Sequence, residues 1–387
     1  MTAQPSRPVT APPWLRALRA YDLFDPSQVR VAPLGDGLIN ETFLVEASDP
    51  AAPLARAVLQ RVSPIFGRAV HDDIEAITAH LAAKGLVTPR LLRNRSGELS
   101  VQITGDSEDD SQAGIWRLLS FIPGHCYPRM TPALAAPAGR LVGRFHVAVA
   151  DLDHSFHFSR PGAHVLSQHV DKLAQALTTA RRPDFVPRES PVPEAFFPLA
   201  ERLLRQAETI ELSDARVATL PRRICHGDLK VSNLRFDDAG QGLCLLDLDT
   251  LGRLPLPLEL GDALRSWCNT SPHGEDSAEA GFDLTIFEGA LRGYAESAFG
   301  LLQPAEHQAL VAGLERIAFQ LAVRFAVDVV GQSYFRYRVD AQRHPTRAAH
   351  NLLRAQGQLA LAQAVAAARQ PAEAIVARLF ATRQGQP

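Results

Sequence analysis

The segment His226–Asn233, with the sequence H-G-D-L-K-V-S-N, constrains this chain more than any other part of it. Fourteen residues after Asn233 the chain continues with the acidic motif Asp247-Leu248-Asp249. A tripeptide such as H-G-D recurs by chance, but a carboxylate, an amide and an acidic strand end at fixed spacing form a far more specific pattern. Phosphoryl transfer needs these two parts: a carboxylate that orients and deprotonates a hydroxyl, and oxygen ligands for Mg²⁺.

Protein kinases carry the same side chains as H-R-D-L-x-x-x-N, with a metal-binding Asp on the strand that follows. We therefore interpret Asp228 as the catalytic residue, which also positions the substrate hydroxyl. Asn233 and Asp247 are interpreted as ligands of Mg²⁺. Asp249 is assigned as a further metal residue, for a second ion or through water to Asp247, with a surface position as the alternative. Outside such a site, these residues would be a turn carboxylate, an Asn cap and two surface acids.

Two residues of the same segment are assigned supporting roles. His226 is predicted to brace the loop backbone by hydrogen bonding and not to act as an acid or base. Lys230 follows Asp228 by two residues. It is predicted either to neutralise the γ-phosphate of ATP or to remain a solvated loop lysine.

Length and hydrophobic patterning predict an α+β, bilobal, protein-kinase-like fold. Residues 1–13 are Pro-rich and are expected to be disordered or loosely attached. Residues 14–122 are expected to form a small nucleotide-binding lobe, an antiparallel sheet with one helix over 72–83, and residues 123–387 a larger, mainly helical catalytic and acceptor-binding lobe. The predicted strands of the small lobe are 28–34, 41–47, 55–62, 99–103 and 115–122. The predicted helices of the large lobe are 131–151, 164–180, 194–208, 256–268, 283–299, 304–330 and 350–382.

Residues 233–249 interrupt the helical pattern and predict a short hairpin, because two apolar runs flank an acidic, Gly-containing turn. The hairpin would place Asn233 just before one strand and Asp247 at the end of its partner, so that both lie at one end. Asp249, two residues further along an extended segment, would then share a face with Asp247.

The loop between the first two predicted strands carries the glycines expected to bind ATP. Backbone N–H groups at Gly35 and Gly37 could approach the phosphates, and Asn40 follows them. No G-x-x-x-x-G-K-[ST] occurs, which excludes the P-loop class. Phe121 and Ile122, at the break between the lobes, are the remaining predicted nucleotide contacts.

The small lobe departs from protein kinases on its third strand, where those enzymes place a lysine that grips the α- and β-phosphates. No lysine precedes Lys84 in this chain. Gln60 or Arg61 must serve instead, and strand alternation allows only one of them to face the nucleotide. Gln60 matches the usual register, whereas Arg61 keeps the positive charge and is expected to pair with Glu75.

Composition excludes several other classes of protein. The formal net charge is −2, which gives no electrostatic case for nucleic acid or an anionic membrane. No stretch approaches about 18 uninterrupted apolar residues, so no membrane span is expected, and the N-terminus lacks the apolar core of a signal peptide. The four cysteines form no C-x-x-C pair and are typical of reduced thiols in a cytoplasmic protein. The oligomeric state is not predicted.

The residues after Asp249 favour a small-molecule acceptor over a protein. Peptide-binding kinases need a long activation segment that ends in A-P-E. Here only a short Leu- and Pro-rich stretch precedes the next helix pattern, and no A-P-E follows. Asp262 and Arg265, one helical turn apart, are predicted to line the acceptor site together with Asp228. Their alternative is an exposed i,i+3 ion pair of small value.

On these motifs the chain resembles the aminoglycoside phosphotransferase-like superfamily, which carries H-G-D-x-x-x-x-N followed by D-x-D or D-x-E. Further segments resemble the N-acetylhexosamine 1-kinase branch of that superfamily, and the resemblance extends from about residue 28 to 365. These segments are Gly37–Phe43, Leu59–Val62, Ile74–Leu81, Leu246–Thr250, Leu260–Arg265 and His350–Arg354.

The resemblance implies ATP-dependent, Mg²⁺-assisted phosphorylation of the anomeric hydroxyl of N-acetylglucosamine or N-acetylgalactosamine. It does not place all of the acceptor contacts by motif. Two alternatives stay open: an aminoglycoside or other amino-alcohol kinase of the same fold, and a pseudokinase that only binds nucleotide. The intact Asp228, Asn233 and Asp247 argue against the pseudokinase.

Overall fold

A computed structural model describes residues 12–35, 40–49, 51–52, 54–105, 113–335, 337, 340 and 342–381. In this part of the chain an antiparallel sheet occupies the N-terminal region and helices dominate the C-terminal region, as in the predicted kinase-like α+β fold. The chain divides into two compact units. The small unit comprises Met1–Ala79, Thr88–Pro123 and Ser155–Phe158, and the large unit comprises His80–Val87, Gly124–His154 and Ser159–Pro387.

The small unit contains a six-stranded antiparallel sheet in the order β1-β2-β3-β6-β4, with β5 also paired to β6. Five of its strands were predicted. The sixth, β4, has only two residues, too few to show the alternation on which a strand prediction rests. The strands are β1 (Val29–Pro33), β2 (Glu41–Ala47), β3 (Arg56–Val62), β4 (Leu91–Leu92), β5 (Val101–Ile103) and β6 (Gly114–Ser120).

The two faces of this sheet differ in chemistry, because alternate side chains of a strand point in opposite directions. Ala57 and Leu59 of β3 belong to a buried apolar cluster with Trp116 and Leu118 of β6. The short helix α1 (Leu15–Leu18) packs into the same cluster. The intervening residues of β3 and β6, which include Gln60 and Arg117, therefore lie on the opposite face.

The helix predicted over 72–83 is α2 (Val70–Ala83), which begins two residues earlier. Its apolar side chains Ile74, Ile77 and Leu81 are buried, as helical spacing requires. Asp72 and Asp73 lie in its first turn, where they complement the positive end of the helix dipole.

The large unit consists mainly of helices, and the predicted helices are present with ends shifted by a few residues. The segment predicted as one helix over 350–382 forms two, and the first begins early because Thr346 caps the backbone N–H of Ala349. Helix α6 was not predicted. The helices are α3 (Pro132–Ala148), α4 (Leu166–Ala180), α5 (Phe196–Ala207), α6 (Asp214–Ala218), α7 (Leu256–Trp267), α8 (Leu284–Ala298), α9 (Pro304–Gly331), α10 (Arg347–Ala367) and α11 (Arg369–Leu379).

Helices α7 and α9 are in close backbone contact, and this contact positions the functional residues on α7. A Cβ added at Gly313 of α9 would be 2.2 Å from the carbonyl oxygen of Pro257. Only glycine permits this approach. The N-terminal half of α7 is thereby fixed against the longest helix of the unit.

Two small antiparallel pairs complete the large unit. Strand β8 (Leu234–Phe236) pairs with β9 (Gly242–Leu245), which is the predicted hairpin. Strand β7 (Arg223–Cys225) pairs with β10 (Gly252–Leu254), a pairing that the sequence pattern did not predict. Among the described helices, none is long and apolar enough to cross a membrane.

Candidate active site

The β8–β9 hairpin brings Asn233 and Asp247 to one end of a strand pair, as predicted. Leu234 is directly opposite Leu245 in the register. One residue beyond that pair, the backbone N–H of Leu246 donates to the carbonyl oxygen of Asn233 at 2.8 Å. Two residues that are far apart in sequence therefore become neighbours through backbone pairing alone.

Asp228 accepts hydrogen bonds from two residues that follow it in the same loop. The side-chain amide of Asn233 donates to the Asp228 carbonyl oxygen at 2.8 Å and to its Oδ2 at 3.1 Å. The Lys230 ammonium also donates to Oδ2, at 2.7 Å. The carboxylate is therefore oriented before any substrate binds, and the Asn233 amide oxygen is the atom of that side chain suited to a cation.

The charges around Asp228 favour its ionised form. Burial by itself opposes ionisation, but the Lys230 ammonium, followed by His226 and Arg265, lowers the pKa of Asp228 below its ordinary value. Conversely, burial opposes the charge on Lys230, yet Asp228 and Asp247 raise the pKa of this lysine. The pair is therefore a carboxylate and an ammonium at neutral pH. Such a carboxylate accepts a hydrogen bond from a hydroxyl and is a weak base.

His226 is fully buried and joins three parts of the loop. Its Nε2 is 2.7 Å from the carbonyl oxygen of Leu246, and its Nδ1 accepts from the backbone N–H of Asp228 at 3.3 Å. With Nε2 as the donor and Nδ1 as the acceptor, the ring satisfies both contacts. The Thr250 hydroxyl donates to the His226 carbonyl oxygen at 2.8 Å. These are the backbone-bracing hydrogen bonds that the sequence interpretation assigned to His226.

Glu259, on α7, anchors the same loop and was not identified from the sequence. Its two carboxylate oxygens accept from the backbone N–H groups of His226 at 2.7 Å and of Gly227 at 3.0 Å. Burial opposes ionisation of this carboxylate, but His146 and the His226 N–H lower the pKa of Glu259 below its ordinary value. No motif spacing points to a carboxylate whose hydrogen bonds come from backbone N–H groups of a distant loop.

Gly227 occupies the position of the Arg in H-R-D for a reason that only the backbone reveals. Its φ is +79°, and a Cβ there would be 2.4 Å from the carbonyl oxygen of Thr250. An L side chain would meet both conformational strain and a backbone clash.

The acidic motif has a different local geometry from the extended segment that we predicted. Asp247 lies in the left-handed region (φ 60°, ψ 62°), and Leu248–Thr250 forms a short 3₁₀ helix. The extended-segment argument that Asp249 shares a face with Asp247 was therefore wrong. A non-glycine residue in this region is strained, and such residues cluster at functional sites.

Asp247 and Asp249 nevertheless interact electrostatically. Burial raises the pKa of Asp247 above its ordinary value, and the charge of Asp249 raises it further. Asp249 is almost completely buried, so the alternative of a surface residue was wrong. The two carboxylates disfavour each other's ionisation. Together with the amide oxygen of Asn233, whose backbone pairs with Leu246, they offer hard oxygen donors of the kind that a divalent cation prefers.

Helix α7 also carries Asp262 and Arg265, which are paired but not exposed. The Arg265 guanidinium donates from Nε and Nη2 to Oδ1 of Asp262 at 3.2 and 2.9 Å, and from Nη1 to Glu275. The Arg265 side chain is only 3% exposed, so the alternative of an exposed i,i+3 pair was wrong. Glu275, from the loop after α7, was not predicted because its partner lies in a separate element.

In the small unit, Arg61 does not pair with Glu75, and this expectation was wrong. Arg61 donates to the carbonyl oxygen of Ala113 at 2.8 Å and to Glu41 at 3.1 Å. Glu75 instead accepts hydrogen bonds from Arg90 and Arg93, at 3.4 and 3.3 Å. Strand alternation places Arg61 on the same side of β3 as Leu59, away from Gln60.

Gln60 lies directly opposite Arg117 of β6. Its Oε1 accepts from Arg117 Nε at 2.9 Å and Nη2 at 2.7 Å, and its Nε2 donates to the hydroxyl of Thr42 at 3.1 Å. The cation that Gln60 binds on this face of the sheet is therefore Arg117, a buried residue that strand-by-strand reasoning missed. Cross-strand register was the missing information.

The other predicted nucleotide contacts are only partly described. Gly35 has a positive φ of 68°, as expected of a turn glycine, whereas Gly37 lies outside the described residues. Asn40 is buried, and its Oδ1 accepts from the backbone N–H of Ser63 at 2.9 Å. Phe121 and Ile122 follow β6 and are partly exposed, and the Arg56 guanidinium lies 4.3 Å from the Phe121 ring centroid.

Comparison with known proteins places this fold and site in a family. The model of the phosphotransferase enzyme family matches residues 30–299, and the chain belongs to that family. It is a small-molecule kinase, a phosphotransferase that uses an alcohol group as acceptor. Among its relatives, the homoserine kinase of Xanthobacter autotrophicus is 26% identical over 297 residues, which cover 76% of this chain and 77% of the relative.

Two solved structures share the fold at low sequence identity. An aminoglycoside phosphotransferase from Alicyclobacillus acidocaldarius superposes with a TM-score of 0.58 at 17% identity, over 97% of this chain and 96% of that one. The amicoumacin kinase hAmiN, in complex with AMP-PNP, Ca²⁺ and its ligand Ami, superposes with a TM-score of 0.55 at 14% identity, over 88% and 89%.

Proposed function

We propose that this protein transfers the γ-phosphoryl group of ATP, with Mg²⁺, to the anomeric hydroxyl of a free N-acetylhexosamine such as N-acetylglucosamine or N-acetylgalactosamine. The observation that carries the proposal is the charge balance around Asp228. Apart from Asp247 and Asp249, which are assigned to the metal, the carboxylates are engaged by cationic side chains: Asp228 by Lys230, and both Asp262 and Glu275 by Arg265. A cationic amino alcohol needs unneutralised acidic groups, whereas a neutral polyol needs paired donors and acceptors.

In this mechanism Asp228 accepts a hydrogen bond from the substrate hydroxyl and takes its proton as the bond to the γ-phosphorus forms, while the bond from that phosphorus to the bridging oxygen breaks and ADP leaves. Its lowered pKa makes positioning its larger contribution. Lys230 holds the carboxylate in place, while Glu259 and His226 fix the loop that carries it. Asp262 and Arg265 line the acceptor side.

Asn233, Asp247 and Asp249 would hold Mg²⁺, and the chemistry of this donor set supports that assignment. The bound ion supplies the positive charge that neutralises the nucleotide phosphates. Its charge would also relieve the mutual repulsion that raises the pKa of Asp247. Nucleotide and divalent-cation use is in keeping with the AMP-PNP and Ca²⁺ in the amicoumacin kinase complex. Gly35, Gly37, Asn40, Gln60, Phe121 and Ile122 stay the proposed nucleotide-contacting residues, with Arg117 supporting Gln60 in place of Arg61.

A zwitterionic amino acid is the second candidate acceptor. It is favoured by the same pairing of carboxylates with cations, which can accommodate one charge of each sign. The 26% identity to a homoserine kinase gives this candidate independent support. Phosphorylation would then occur on a primary hydroxyl and not at an anomeric centre.

An ATP-consumption screen over free hexosamines, homoserine, choline and aminoglycosides tests the proposal. We expect turnover with an N-acetylhexosamine that Asp228→Ala abolishes, and a product with the ³¹P–¹H coupling and acid lability of an anomeric phosphate. Turnover with aminoglycosides or homoserine alone would refute the sugar assignment. ATP binding without turnover on any acceptor would identify a pseudokinase.

A further inference from the structure

The two carboxylate oxygens of Asp262 have different surroundings. Oδ1 accepts two hydrogen bonds from Arg265, at 3.2 and 2.9 Å. Oδ2 is buried and accepts no hydrogen bond from the residues that the structure describes. A buried acceptor without a donor costs about 1–3 kcal/mol, so its retention calls for an explanation.

A chain of hydrogen bonds fixes the orientation of the Asp262 carboxylate. The Arg265 guanidinium that donates to Oδ1 is almost fully buried and also forms an ion pair with Glu275. The next residue, Asp276, accepts from His350 Nε2 at 2.8 Å and from Arg354 Nε at 2.6 Å. The loop that carries Glu275 is thus fixed to α10, and Arg265 and Asp262 are fixed in turn.

Asp262 also lies within electrostatic reach of the catalytic carboxylate. Burial raises the pKa of Asp262 above its ordinary value, and the charge of Asp228 opposes its ionisation further, although Arg265 counteracts both. Asp262 lies one helical turn after Glu259, whose carboxylate binds the loop of Asp228. Asp262 Oδ2 is an oriented acceptor without a donor from the described protein, and a substrate N–H or O–H would supply that donor.

We propose that Asp262 Oδ2 accepts a hydrogen bond from a second donor group of the acceptor, one other than the hydroxyl bound to Asp228. In a 2-acetamido sugar this donor is the amide N–H or a ring hydroxyl. Arg265 and Glu275 then act as positioning residues that hold Asp262 and do not themselves bind the sugar. The inference deepens the proposed function and rests on it for the identity of the donor.

Asp262→Asn is the informative variant, because it keeps an oxygen for Arg265 and replaces Oδ2 by an NH₂ group. A donor then faces the substrate donor, and we expect kcat/KM to fall about 10- to 100-fold. The same measurement is made with N-acetylglucosamine and with analogues that each lack one donor, such as the 2-, 3- and 4-deoxy sugars. For the analogue without the recognised donor, wild type and Asp262→Asn should become equal within about threefold, whereas the other analogues keep the difference.

Asp214→Asn is the matched control. Asp214 also accepts from a buried arginine, Arg316, and from the backbone N–H groups of Leu166 and Ser167, both at 3.0 Å. Loss of the Asp214 carboxylate should lower the unfolding temperature without changing the order of kcat/KM among the deoxy analogues. Unfolding temperatures of both variants separate a local effect on Asp262 from loss of fold.

A uniform loss of kcat/KM over all analogues would overturn the inference, because Asp262 would then act only through Arg265. If wild type phosphorylates homoserine and not hexosamines, the proposed function fails but the inference is tested with 4-hydroxybutyrate, which lacks the ammonium donor. If neither series of analogues shows a donor-selective effect, the inference itself is refuted.

Discussion

The α-carbon of Gly227 lies so close to the carbonyl oxygen of Thr250 that an added Cβ would be 2.4 Å from that oxygen. We expect Gly227→Ala to displace the loop that carries Asp228 and to lower kcat/KM at least about 100-fold, since small misplacements of catalytic groups have large effects. Steady-state kinetics and thermal unfolding measure both consequences.

Gly240→Ala is the control for this substitution. Gly240 also has a positive φ, of 73°, but the nearest atom to an added Cβ is 3.7 Å away. It should show the conformational cost of about 1–2 kcal/mol and keep its activity. Equal kinetic losses in the two variants would contradict the steric explanation.

Glu259→Gln should reduce kcat about 10- to 100-fold. The carboxylate accepts two backbone N–H groups, from His226 and Gly227, whereas glutamine has a single acceptor oxygen and turns an NH₂ group toward one of these donors. Because the loop would be misplaced and not unfolded, we expect kcat to fall more than the unfolding temperature suggests.

Glu315→Gln provides the comparison for Glu259→Gln. Glu315 is a buried carboxylate that contacts Arg369 and not the catalytic loop. It should lower stability and leave kcat within about twofold. A kcat for Glu259→Gln as high as that of Glu315→Gln would show that the loop does not depend on this anchor.

Asp247→Ala is predicted to abolish activity and Mg²⁺-dependent nucleotide binding while leaving the fold intact. Its carboxylate is a proposed metal ligand whose ionisation is opposed by burial and by the charge of Asp249, so its removal need not unfold the protein. Asp249→Ala should have a milder effect on both quantities. Isothermal titration with the nucleotide at several Mg²⁺ concentrations measures this, and unchanged turnover of Asp247→Ala at saturating Mg²⁺ would exclude the metal assignment.

Gln60→Leu and Arg61→Met should separate the two candidates on β3. Loss of the Gln60 amide removes two hydrogen bonds from the buried Arg117, which costs about 1–3 kcal/mol and should weaken nucleotide binding. Among the described residues, the Arg61 side chain donates to Glu41 and to the Ala113 carbonyl oxygen, away from Gln60, so Arg61→Met should change nucleotide affinity less than about threefold. Fluorescence titration with a nucleotide analogue measures both, and the reverse order would restore Arg61 as the phosphate ligand.

Asp276→Asn should make the stability of the protein less dependent on acidic pH. Burial opposes ionisation of Asp276, but His350 and Arg354 lower its pKa below the ordinary value. A lowered folded-state pKa contributes stability above the unfolded-state value of about 4 and loses it as pH falls below that value. Wild type should thus exceed the variant by about 1 kcal/mol at neutral pH, after allowance for solvent screening, and the difference should shrink as pH falls from about 4 toward the lowered pKa of Asp276. Urea unfolding between pH 3 and 7 tests this, and a constant difference would contradict it.

Periodicity along the sequence predicted the α+β fold, five of the six strands of the small unit and most of the helices. It could do so because strand alternation and helical spacing are local properties of the chain. The short elements β4 and α6 escaped because two to five residues carry too little periodicity. The fixed spacing of Asp228, Asn233 and Asp247 likewise identified a phosphotransferase.

What the sequence by itself determined is therefore the set of candidate reacting groups and the elements that carry them. Only the tertiary structure decided which groups support them. Glu259 binds the catalytic loop through backbone N–H groups, Arg117 meets Gln60 through strand register, and Glu275 meets Arg265 from a separate loop. Each of these contacts joins residues in separate elements of the chain. Packing and strand register create such contacts only when the chain folds, so the spacing of residues in the sequence does not reveal them.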